Sequence, residues 1–114
     1  MARPARDAPV LYPDDMRVHA DEAARLLKAL ANDKRLLILC LLAEGERSVG
    51  ELNAGLDLSQ SALSQHLAVL RAEGLVETRR EAQVIRYSLV PGPAFEVIRT
   101  LHGIYCAPKS RRRR

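Results

Sequence analysis

Two thiols and one run of short polar side chains are the residues of this chain best suited to chemistry. Cys40 lies inside the apolar run of residues 36–42, where a single cysteine usually serves as a small core residue. Cys106 follows Tyr105 and precedes Lys109 and the arginines at 111–114, whose positive charge favours a thiolate. Redox chemistry at sulfur is therefore the first option. The polar run is Gln60, Ser61, Ser64, Gln65 and His66. Glutamine can pair with adenine through two hydrogen bonds, and serine or histidine can reach bases or phosphates. Arg79, Arg80 and Arg86 lie on or beside an expected hairpin, where a wing would meet a nucleic-acid backbone. A merely solvated polar helix face is the competing reading of the same residues.

Other chemistries find less support. His19, His66 and His102 are far apart in the chain, and two cysteines are too few for a Cys-only zinc site. No metal ligands are assigned, although a composite Cys40, His102 and Cys106 site stays open as the basis of a metal-responsive alternative. No cofactor fingerprint is present and none is expected. Ser64 and His66 are close in sequence, but helical geometry turns them roughly 200° apart. An enzyme is not expected.

The elements that must carry these residues follow from periodicity and capping. A helix is expected over about 16–31, with Ala23, Leu26, Leu27 and Leu30 at one-face spacing. Asn32 or Asp33 can cap a second helix to about Ala43, apolar all round and so expected to be buried. Ser48-Val49-Gly50-Glu51 has the form of a capping box and starts a short helix. Gly55 suits a left-handed residue after its end. Ser59 can cap a helix over 60–73, ended by Gly74, with Leu63, Leu67 and Leu70 facing inward. Residues 75–80 and 84–90 read as two strands of a hairpin, and a last helix starts near Pro93. The fold expected is mainly α with a two-stranded β wing, a winged helix-turn-helix of four helices, a hairpin and a final helix.

The wording of these segments is specific. Residues 26–36, Leu-Leu-Lys-Ala-Leu-Ala-Asn-Asp-Lys-Arg-Leu, resemble the start of an ArsR-type repressor. So do residues 59–67, Ser-Gln-Ser-Ala-Leu-Ser-Gln-His-Leu, followed by Leu70-Arg71 and Gly74-Leu75-Val76. The resemblance spans about residues 18–106. It implies a homodimeric winged-helix repressor of a palindromic double-stranded DNA operator, with the first and last helices forming the dimer interface. Ser61, Ser64, Gln65 and His66 match recognition-helix positions. The sequence departs from metal-sensing members: the third helix has no Cys or His, and the last helix offers only Glu96 and His102. Cys40 within Leu39-Cys40-Leu41 and Cys106 within 101–106, Leu-His-Gly-Ile-Tyr-Cys, match the dithiol branch of BigR-, SqrR- and HlyU-type sensors. Arg80-Glu81-Ala82-Gln83 is similar to its wing phrase. That branch implies an inducer, a reactive sulfur species or in some members an oxidant. By the same resemblance, the inducer is implied to bridge Cys40 to Cys106 by a di- or polysulfide and so to release DNA.

Composition sets the limits. The 114 residues fit one small domain, and 47% hydrophobic content with only 4% aromatic implies an aliphatic core. The formal charge of +4 is concentrated at the end. Lys109 and residues 111–114 supply five of 18 basic residues, leaving 13 against 14 acidic ones, a body near −1. Such a tail attracts nucleic acid or simply solubilises the chain. No apolar run reaches the ~18 residues of a membrane span, and residues 1–15 lack the apolar stretch of a signal peptide, so a cytoplasmic protein is expected. The expected organisation is a flexible arm over 1–14, the winged-helix domain over 15–107 and a basic tail over 108–114. A protein-interaction domain remains the reading from another class.

Overall fold

The computed structural model describes residues 12–106. The basic tail and most of the expected arm lie outside them. The helix expected from residue 16 is two helices, α1 (Pro13–Arg17) and α2 (Ala20–Leu30). Pro13 stands in the first turn of α1, and Asp21 and Glu22 begin α2 where the helix dipole favours acid. Helix α2 buries Ala29 and Leu30 and packs Leu26 on the core, but Leu27 is turned outward and 56% exposed. The inward face is therefore narrower than the leucine spacing implied.

Asn32 caps α3 (Asp33–Glu44), its side-chain oxygen accepting from the backbone N–H groups of Lys34 (2.9 Å) and Arg35 (3.0 Å). Ile38, Leu39 and Leu42 are buried at the centre of the core. The helix is not buried all round as expected, because Leu37 is exposed and Cys40 only half-buried.

A two-residue strand, β1 (Arg47–Ser48), leads into α4 (Val49–Ala54). Ser48 ends the strand and caps the helix. Its hydroxyl accepts from the Glu51 N–H (3.1 Å), and its own N–H donates to the Glu51 carboxylate (2.9 Å). The expected capping box is thus formed. Gly55 has φ −91°, ψ −1°, so α4 ends in a right-handed turn and not the left-handed one expected. Ser59 caps α5 (Gln60–Ala72) through the Ala62 N–H (3.1 Å). Gly74, at φ 74°, closes α5. The Leu75 N–H donates to Leu70 and the Gly74 N–H to Arg71, both at 2.9 Å, which is a Schellman ending.

Strands β2 (Val76–Glu81) and β3 (Val84–Leu89) form the hairpin, in register from Val76 opposite Leu89 to Glu81 opposite Val84. The wing expected to have two strands belongs to a three-stranded antiparallel sheet ordered β1-β3-β2. Two residues are too few to show an alternating pattern, so β1 had no signature in sequence. Helix α6 (Pro93–Tyr105) returns across α3, burying Ala94 and Ile98 with Val97 against the same core.

Candidate nucleic-acid interface and thiol pair

Helices α4 and α5, joined by residues 55–59, form the helix-turn-helix. Leu52 from α4 and Leu63, Leu67 and Leu70 from α5 are buried. That fixes which side of α5 remains outside. Gln60, Ser61, Ser64 and Gln65 are all exposed, and at 100° per residue they fall on one contiguous face that continues through Ala68 and Arg71. The short side chains of Ser61, Ser64 and Ala68 allow close approach to a groove. Ser64, Ala68 and Arg71 border a notch of about 360 Å³ whose other wall includes Tyr87 of β3 and Val49 of α4. The outer face of α5 and the hairpin are therefore adjacent.

His66 stands apart from this face. It is half-buried, and its Nδ1 lies 3.5 Å from an Arg35 guanidinium nitrogen. Arginine only donates, so the ring accepts there. Arg35 also donates to the carbonyls of Ala29 (2.6 Å) and Lys28 (3.2 Å). It joins the end of α2, the start of α3 and the side of α5. The sequence reading assigned no role to Arg35, because contacts 31 residues apart leave no local pattern.

The three wing arginines differ. Arg79 is held by Glu46, Nε to Oε2 at 3.0 Å and a terminal nitrogen to Oε1 at 2.6 Å. Arg86 donates to Glu81 (2.7 Å) and Glu51 (3.3 Å). Arg80 is exposed and makes no ion pair among the described residues. The hydrogen bond from Arg79 holds the Glu46 carboxyl below the ordinary range; the Ser48 backbone N–H, then Arg86, does the same for Glu51.

Cys40 and Cys106 are not joined in a disulfide and stand on packed helices, the first half-buried on α3, the second exposed at the C-terminal cap of α6. Burial chiefly pushes the Cys40 thiol up, and negative charge at Cys106 and Glu44 adds to it. The sulfurs are thus within electrostatic reach of each other inside one chain. No group of three or more His, Cys, Asp or Glu side chains able to hold a metal occurs among the described residues, so His102 does not complete a three-ligand set with the cysteines. No described helix is long and apolar enough to cross a membrane.

A helix-turn-helix with a polar outer face and an antiparallel hairpin beside it defines a winged helix-turn-helix DNA-binding regulator. The chain belongs to the arsR family of bacterial regulatory proteins, whose pattern matches residues 32–78. It is 53% identical over 92 residues to the transcriptional activator HlyU of Vibrio cholerae, covering 81% of this chain and 85% of that protein. The crystal structure of the transcriptional repressor BigR from Xylella fastidiosa matches with a TM-score of 0.80 at 44% identity, over 86% of this chain and all of that one. A homodimeric winged helix-turn-helix DNA-binding domain from Mycobacterium bovis matches at TM-score 0.69 and 32% identity, over 84% and 89% of the two chains. These relatives are transcription regulators, a class distinct from enzymes.

Proposed function

We propose that the chain is a homodimeric, cytoplasmic transcriptional repressor whose hold on a palindromic operator is switched by sulfur bridging of Cys40 and Cys106. The observation that carries the reading is the placement of the chain's two cysteines on packed helices, α3 and α6, with the charge of one felt at the other. Exposed apolar residues support the dimer: Met16 on α1, Leu27 on α2, and Ile104 and Tyr105 on α6. Gln60, Ser61, Ser64 and Gln65 read the major groove, and two such helices in a twofold dimer sit about one DNA turn, ~34 Å, apart. His66 acts by seating α5 against Arg35.

The chemistry balances with a low-molecular-weight persulfide as oxidant. The exposed Cys106 thiolate attacks the outer sulfur of R–S–SH, taking it as Cys106–S–SH and releasing the thiol R–SH. Cys40 then attacks the inner sulfur; hydrogen sulfide leaves and a disulfide forms. A second persulfide acting at Cys40 first gives a trisulfide by the same loss. Either bridge ties α3 to α6. Because α6 contributes to the dimer contact, the tie turns one subunit against the other and misaligns the two α5 helices.

The test uses a duplex enriched by the protein from a random-sequence pool. Cys106→Ser retains binding to it but no longer releases it when treated with glutathione persulfide. Mass spectrometry of the wild-type protein shows the loss of two thiol protons, with whole added sulfurs if the bridge is longer. Normal release by Cys106→Ser overturns the switch.

A further inference from the structure

We infer that the wing meets DNA phosphate through Arg80, while Glu46, Glu51 and Glu81 hold Arg79 and Arg86 in a neutralised bracket that limits sequence-independent binding. The inference rests on the DNA-binding reading but adds a division of labour that three similar arginines do not suggest.

Arg79 and Arg86 are directly opposite one another across β2 and β3. Like charges in that position repel. Three carboxylates surround them, from the segment before β1, from α4 and from β2, so two positive charges face three negative ones. The Arg79–Glu46 contact is two-pronged, the strongest form of such a pair. A phosphate approaching this face meets no net positive charge, and recruiting either guanidinium requires breaking its pair.

Arg80 is on the other face of β2. Alternation places it with Thr78, opposite Ile85, on the sheet face that also carries Tyr87. Tyr87 borders the notch beside Ser64 and Arg71 of α5. Arg80 therefore extends the recognition-helix side toward the hairpin tip, with its charge unspent among the described residues.

Binding of a random-sequence duplex, followed by fluorescence anisotropy across a salt series, tests the division. The slope of log affinity against log salt counts phosphates neutralised, at about 0.9 per contact on each subunit. Arg80→Gln is expected to flatten the slope by about that amount per subunit, while Arg79→Gln leaves it nearly unchanged. Glu46→Gln releases Arg79 and steepens the slope, and adding Arg79→Gln removes the gain. Glu77→Gln, exposed on the bracket's face of β2, controls for simple loss of negative charge. Equal losses from Arg79→Gln and Arg80→Gln, or an equal gain from Glu77→Gln and Glu46→Gln, overturn the bracket while wild-type binding preserves the DNA reading. A wild-type protein with no salt-dependent binding overturns both.

Discussion

Cys40 and Cys106 differ in a way that orders their chemistry. Burial, followed by charge at Cys106 and Glu44, pushes the Cys40 thiol above the ordinary range, so at neutral pH less of it is thiolate and its attack is the slower one. The exposed Cys106 is the sulfur that reagents meet first. A timed pulse of iodoacetamide, read by peptide mass spectrometry, is expected to label Cys106 well before Cys40. The Cys40 rate should rise only as pH climbs beyond the usual thiol range. Faster labelling of Cys40 at neutral pH would sink this order. At this scale the outward residues of α5 were legible, because capping and leucine spacing fix its rotation. The seat of His66 was not, since Arg35 reaches it through folding. The unequal fates of Arg79, Arg80 and Arg86 were hidden for the same reason: Glu46 is 33 residues from its partner.

Among the elements, those with local punctuation were readable. Asn32, Ser48, Ser59 and Gly74 mark helix ends through short-range hydrogen bonds, and each stands where that chemistry requires. Strand β1 was not readable, since it exists only through pairing with Tyr87 and Arg86. Gly55 misled because a glycine permits a left-handed turn without demanding one. The hairpin turn is the reverse case. Its two residues are Ala82 and Gln83, and Ala82 takes φ 58°, a left-handed value that costs a side chain about 1 kcal/mol. Replacing Ala82 with glycine relieves the strain against a smaller loss of chain entropy. We expect a stability gain of about 0.5 kcal/mol in urea unfolding, with the far-ultraviolet spectrum unchanged. A lower midpoint would mean that the turn is held by something other than its own dihedrals.

For the molecule as a whole, a periodic pattern tells which residues avoid water but not whose surface they avoid it against. Leu27 shares its spacing with core leucines yet is outside the single-chain core, as are Ile104 and Tyr105 on α6. If a second copy covers them, Ile104→Lys should leave the helical spectrum intact and shift sedimentation toward the monomer. Affinity for a two-half-site duplex should fall by at least tenfold, because both recognition helices are needed together. An unchanged dimer after this substitution would move the interface elsewhere.

Ser48 occupies the last position of β1 and the capping position of α4, and Glu51 on the next turn receives both its backbone N–H and an arginine from β3. The hairpin is consequently tied to α4, the first helix of the helix-turn-helix, by hydrogen bonds as well as by the chain. Hairpin and α4 must tilt together like two arms of a soldered bracket. In the switch proposed above, a swing of one subunit against the other would therefore carry both off the DNA in a single movement.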